Sequence, residues 1–339
     1  MTSSQDASIG ISVPESVYGT PVVTTRWYEH IDESQDYRKN VKQGAGLRTG
    51  RRIPAAGRRT VPTADGGGDF TVECASKGLG LLWQLLLGGG TSTLVSSATY
   101  QQNFVDADNP GSTTLQKGVP RYNADGTFVI DAYTFPGTMC TQWELDFPNS
   151  DIVKLKVSTD AKDVLTATSY AAPSFPAEPV NLFQFSGGSI FTGAFTAPTA
   201  TTLAVGGTAL ADVRGGTITS ANALKTDRYN LGGAGRKSKP TTGLGIPGGK
   251  LDIEYDSTTF RDAIMSDTSM CLVLNWTAGA LGVGLETLQV AIPCIRFNTQ
   301  LPMTNGTDLI VQSMSFDGLD GLVAPQGLYV TTRTADAAL

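Results

Sequence analysis

Strict alternation of apolar and polar side chains is the plainest pattern in this chain. Across residues 151–160, Val153, Leu155 and Val157 fall on one side and Lys154, Lys156 and Ser158 on the other, the period-two pattern of a strand with one wet face. Similar runs predict strands near 24–31, 70–73, 126–135 and 140–147. Residues 77–87, leucine-rich around Trp83 and followed by Gly88-Gly89-Gly90, predict a short helix packed on a sheet. That run is too short for a membrane span, which needs about 20 apolar residues. Residues 1–21 are polar and end in Tyr18-Gly19-Thr20-Pro21, which reads as an extended arm and a turn. Pro173, Pro176 and Pro179 mark a connector. Residues 196–216, small and rich in Thr and Gly, read as a surface loop or weak hairpin.

The second half repeats the first in outline. Gly67-Gly68-Asp69-Phe70-Thr71-Val72-Glu73 followed by Ser76 is matched by Gly248-Gly249-Lys250-Leu251-Asp252-Ile253-Glu254 followed by Ser257. Cys140, Trp143 and Pro148 are matched by Cys294, Phe297 and Pro302 at the same spacing. Each half then closes on a ten-residue strand pattern, from Asp151 to Asp160 and from Asp308 to Asp317. Three matches in the same order predict two tandem β-rich units, residues 1–180 and 181–339, and paired similar units suit an assembly part better than an enzyme.

Composition agrees. With 339 residues, 39 Gly, 17 Pro and 17% charged side chains, the chain has room for about two domains of roughly 150 residues and the turn content of an all-β protein. Its start lacks the basic residues and apolar run of a secretion signal, so synthesis in the cytoplasm is expected. Cys74, Cys140, Cys271 and Cys294 have no CxxC spacing, and His30 is the single histidine. Buried reduced thiols are therefore expected, with no metal site and no cofactor.

Charge is unevenly spread. Residues 38–64 hold Arg38, Lys39, Lys42, Arg48, Arg51, Arg52, Arg58 and Arg59 without one acid. Residues 225–250 hold Lys225, Arg228, Arg236, Lys237, Lys239 and Lys250 against Asp227 alone. The whole chain is −6, so outside these +8 and +5 segments it carries −19. An acidic body with two basic loops suits contact between copies, with Arg38, Lys39, Lys42, Arg48, Arg51, Arg52, Arg58, Arg59, Arg228, Arg236, Lys237 and Lys239 as contact candidates. Nucleic-acid binding is the competing reading, but the loops lack interleaved aromatics for stacking bases.

Candidate chemistry is sparse. Residues 232–238, Gly-Gly-Ala-Gly-Arg-Lys-Ser, resemble a phosphate loop, yet Arg236 interrupts the pattern and no strand-to-helix context surrounds it. Glu144 and Asp146 share one strand face, as a glycosidase pair could, but the second half has Asn298 and Gln300 there, so a polar outer face is favoured. His30 near Asp32 and Glu33 lacks a nucleophile elbow. No catalytic residue is assigned.

Several segments resemble the tail tube proteins of siphoviruses, the long-tailed non-contractile bacteriophages, and actinobacteriophage members in particular. They are Tyr18-Gly19-Thr20-Pro21, then Arg26-Trp27-Tyr28-Glu29, Ser34, Leu47-Arg48 with Gly50-Arg51, the strand bearing Glu73, and Asp227-Arg228-Tyr229-Asn230-Leu231-Gly232 before Lys239-Pro240. The resemblance covers most of the chain except residues 196–216. It implies tail-tube-type β-sandwich units, each with a short flanking helix and a long basic loop, whose inner strands line a hollow tube in the virion. It also implies self-association into stacked rings, contact with a tape-measure protein, tail terminator and distal tail proteins, and passage of genomic DNA without specific binding. Since single-unit relatives form six-membered rings, two units per chain imply trimeric rings; an outer second unit would imply hexameric ones. A two-domain carbohydrate-binding β-sandwich is the alternative.

Overall fold

The computed structural model describes residues 4–298, 301 and 310–339, apart from 211, 256 and 257. Ser257, Gln300, Pro302 and Asp308, used in the comparison of the two halves, lie outside the described residues.

Almost all of the regular structure described is antiparallel strand. In the first half these are β1 (Ser8–Ile11), β2 (Arg26–Tyr28), β3 (His30–Glu33), β4 (Asp36–Gln43), β5 (Arg59–Glu73), β6 (Gly88–Ser96), β7 (Thr99–Asp106), β8 (Thr113–Tyr122), β9 (Phe128–Phe147) and β10 (Lys154–Ala161). The second half supplies β11 (Gly188–Thr192), β12 (Thr208–Leu210), β13 (Val213–Ala221), β14 (Gly248–Glu254), β15 (Met270–Ala280), β16 (Leu285–Phe297), β17 (Val311–Gly318) and β18 (Tyr329–Thr334). Two short helices, α1 (Gly80–Leu87) and α2 (Thr259–Ser266), follow β5 and β14.

One layer runs β3/β4, β5, β10, β9, β13, β14, β17, β16. Its dry face carries Phe70, Val72, Trp143, Leu145, Val157, Ile218, Leu251, Met314 and Phe316, all buried. Over it lie α1 and the second-layer strands: Trp83 of α1 meets Trp143 edge-on at 5.7 Å, and Trp276 of β15 meets Phe147 at 5.3 Å. Such aromatic pairs add to the area they remove from water. Helix α1 buries almost every side chain, as an apolar-all-round sequence must, and Gly88 at φ 86° ends it in the left-handed conformation that glycine adopts freely.

The repeat seen in the sequence recurs as register. Gly67 stands opposite Asp160 and Glu73 opposite Lys154, while Gly248 stands opposite Asp317 and Glu254 opposite Val311. On the other side of these strands, Asp36 faces Gly67 and Thr219 faces Gly248. Both flanking ladders break at the same step, between His30 and Asp32 and between Val213 and Gly215. The glycine pairs have a steric cause. A Cβ on Gly68 would lie 2.3 Å from the Ser34 carbonyl oxygen, and one on Gly249 would lie 2.2 Å from that of Thr217. The Cys-aromatic match is looser: Trp143 faces Val157 but Phe297 faces Phe316, two residues further along and still on the same face.

Three elements differ from the sequence expectation. Residues 8–11 are a strand wedged between β2 and β8, with Ile9 and Ile11 fully buried, so the arm is already part of the fold from Ser8 onward. The first basic loop is largely a β-hairpin: β4 pairs with the start of β5, and residues 44–58 form its tip. The two strands expected around 126–135 and 140–147 are one 20-residue strand, β9. Its first half pairs with β8 and its second half with β10 and β13.

Candidate assembly surfaces

The β4–β5 hairpin and the loop between β13 and β14 leave the same end of the sheet, the end where β10 and β17 finish. Their fates differ. Along the hairpin, residues 38–54 and 56–62 are all exposed, with Leu47 at 99% and Ile53 at 82%. Lys39, Lys42, Arg48, Arg51, Arg52, Arg58 and Arg59 make no ion pair among the described residues. Between the limbs of the tip is a cleft of about 650 Å³ lined by Arg48, Arg51, Arg52 and Arg58 with no acid.

The second loop instead folds back onto the first half. Lys237, 2% exposed, places Nζ 2.7 and 2.8 Å from the carboxylate oxygens of Asp160 and 3.0 Å from Asp65. Arg38 donates to the same two acids at 2.7 and 2.8 Å, and Tyr229 donates its hydroxyl to Asp65 at 2.6 Å. Arg236 pairs with Asp163 at 2.8 Å. Burial pushes the Asp160 carboxyl up against the pull of Lys237 and Arg38. Desolvation also works on Asp65, but hydrogen bonds from Tyr229 and Lys237 outweigh it and hold that carboxyl below its ordinary value.

Arg38, Arg236 and Lys237, predicted as contact residues, are thus engaged within the chain. Arg228 and Lys239 stay at the loop surface, bonded to the Lys239 carbonyl and to Asn109. The resemblance of residues 232–238 to a phosphate loop dissolves here, because the lysine in question is sealed against a carboxylate.

The wet face of the first layer is the remaining surface. Lys154 pairs with Asp151, Lys156 with Asp69, Lys250 with Asp252 and Arg214 with Glu254. Glu73, Glu144, Asp146 and Asp317 form no ion pair among the described residues. Glu144 and Asp146 stand between Lys156 and Thr219 and between Lys154 and Thr217, and the clefts of about 650, 520 and 400 Å³ are lined by other residues. The four cysteines are unpaired and buried. No described helix is long and apolar enough to cross a membrane.

A continuous antiparallel sheet with one wet face, an exposed basic hairpin at one end and an outer β4 edge without a strand partner among the described residues defines a structural subunit built to associate. The chain belongs to the phage tail tube protein family, whose model matches residues 4–318. It is a structural protein of the phage tail tube, and so a component of the virion. No curated protein matches the chain.

Proposed function

We propose that the chain consists of two tube units, residues 1–180 and 181–339, and that three copies close a ring of six units in a long non-contractile tail. The observation carrying this is the shared register, with the same ladder break beside β5 and beside β14. Within one chain the units join through β9 and β13, from Phe147 opposite Gly216 to Gln142 opposite Ala221, and through β7 and β18, from Val105 opposite Tyr329 to Tyr100 opposite Thr334. The corresponding joint between copies pairs the end of β16, past its ladder with β15, with the outer edge of β3 and β4 of the next, which closes the open edges of the first layer.

In this arrangement the wet face lines the tube. Its unpaired Glu73, Glu144 and Asp146 repel the phosphates of passing DNA, and its lysines are largely neutralised by neighbouring acids. The hairpin tip, with Leu47, Arg48, Arg51 and Ile53, reaches the next ring, assisted by Arg228 and Lys239 of the second loop. A tape-measure protein inside the growing tube and terminator and distal proteins at its ends complete the set of partners.

End-on averaging of tubes by electron microscopy, with the chains per ring counted by mass, tests the reading. Three chains per six-unit ring is the expected result. Six chains per ring would sink the two-unit assignment while keeping the tube.

A further inference from the structure

The hairpin tip and one particular cleft stand at the two ends of a single strand. Strand β5 leaves the hairpin at Arg59 and finishes at Glu73, a run of 15 residues. Beside its last residues, Val72 and Glu73, is a cleft of about 170 Å³. The buried part of its lining is apolar, with Trp27, Tyr28 and Leu79, and Phe175 of the proline connector stands over it 47% exposed. The lining also holds three acids, Glu29, Glu73 and Glu178, against one cation, Lys77, whose Nζ is taken up by the carbonyls of Ala177 and Pro179 at 3.2 and 2.8 Å. Glu29 and Glu178 are exposed and make no ion pair among the described residues. The hairpin tip has the complementary character: Leu47 and Ile53 stand in solvent among Arg48, Arg51 and Arg52, with no acid near them in the chain. Exposed aliphatic side chains gain by burial, and arginines gain by facing carboxylates.

Stacking in one sense brings the two together. In a ring closed edge to edge, the strands run from one face of the ring to the other, so the Arg59 end of β5 belongs to one face and the Glu73 end to the opposite face. Rings stacked head to tail then set the hairpin of one copy against the Glu73 end of another. Two further clefts lack part of this match. The cleft of about 520 Å³ lined by Pro247, Gly318 and Leu319 lies at the hairpin end, where β14 begins and β17 finishes, so a hairpin from a ring of the same sense does not meet it. The cleft of about 330 Å³ lined by Phe147, Val213 and Trp276 lies at the far end but has no acid in its lining.

We propose that the cleft beside Glu73 is the socket for the hairpin tip of a copy in the adjacent ring, with Leu47 or Ile53 on its apolar lining and Arg48 and Arg51 against Glu29 and Glu178. The proposal rests on the reading of rings closed side to side, and adds the seat that the tip takes. Tip and socket are different surfaces at opposite ends of the subunit, so the contact is heterologous and does not close on itself. It propagates along the tube, leaving free hairpins at one end and free sockets at the other.

Site-directed cross-linking of assembled tubes tests it. Glu178→Cys is combined in one chain with Leu47→Cys, and separately with Ile53→Cys; the four native thiols are buried and do not compete. After treatment with a short bis-maleimide and denaturation, a ladder running well past six chains is expected, because each ring is linked to the next. A ladder ending at three or six chains places the contact within one ring and overturns the proposal. Normal tubes with no cross-link also overturn it and leave the ring reading standing, since chains per ring are counted separately by mass. Ser186→Cys, at the cleft without acids, is paired with the same tip cysteines, and a stronger ladder from it than from Glu178→Cys overturns the choice of socket.

If the cysteine chains fail to assemble, charge exchange decides. Glu29→Arg with Glu178→Arg is expected to lower tube yield at least tenfold, and added Arg48→Glu and Arg51→Glu are expected to restore it. Undiminished tubes from the socket changes alone, or no recovery when the tip changes are added, would overturn the proposal.

Discussion

Lys237 Nζ lies 2.7 and 2.8 Å from the two carboxylate oxygens of Asp160, with both residues almost wholly shut off from solvent. The lysine comes from the second half of the chain and the aspartate from the first. Arg38 and Tyr229 complete the cluster through Asp160 and Asp65. It locks one basic loop down on the sheet while the other, at the same end, stands free.

Removing one member of this cluster strands the others. Asp160→Ala leaves Lys237 buried against Asp65 alone, and loss of a partner from a buried pair costs about 3 kcal/mol. Replacing both, as Asp160→Leu with Lys237→Met, should cost less than the sum of the single changes. Urea unfolding of the four chains, analysed as a double-mutant cycle, measures the coupling.

The repeated glycines predict matched defects. Gly68→Ala and Gly249→Ala each drive a methyl into a backbone carbonyl that the ladder holds in place, an overpacking cost of about 2 kcal/mol. By contrast, Gly57→Ala meets nothing within 4 Å and should leave the urea midpoint unchanged.

Arg48→Glu with Arg51→Glu should separate folding from assembly. Both side chains are exposed at the hairpin tip and make no ion pair among the described residues, so unfolding should shift by no more than about 0.5 kcal/mol. Sedimentable tube should fall sharply. Tubes of the unaltered protein should also form less readily as salt rises, because exposed charge contacts are screened within about 10 Å at 0.1 M. Normal tube yield from the variant would remove the hairpin from the stacking contact.

Acid titration has a predictable sign. Asp65 is held below its ordinary value, near 3.9 when unfolded, so its contribution is complete above about pH 4 and lost as pH falls through the lowered value. Asp160 is shifted upward, so its contribution is complete below the unfolded value and lost as pH rises through its raised one. Asp65→Asn should therefore flatten the acid limb of a plot of unfolding midpoint against pH. Asp160→Asn should flatten the limb just above pH 4.

The sheet was legible where one face is dry and the other wet. The alternation of Val153, Leu155 and Val157 and the pairing of Gly67-Gly68 with Gly248-Gly249 fall where the ladders place them. Strand β1 was hidden because Ser8 and Gly10 on either side of Ile9 look polar or neutral, although all four residues are buried from both sides. The basic hairpin was hidden for the opposite reason: both faces are wet, so no alternation marks it. The role of Lys237 depends on Asp160, 77 residues away, and no local pattern separates it from Lys239, which stays at the surface.

The ladder between β9 and β13 is made by a single polypeptide. Dilution cannot undo it, since its two strands are tethered and meet at an effective concentration fixed by the chain. Every seam between copies answers to protein concentration; this one does not. On the proposed two-unit ring, each subunit enters assembly with one stretch of wall already closed, and nucleation of a ring needs fewer simultaneous encounters than it would with that seam cut.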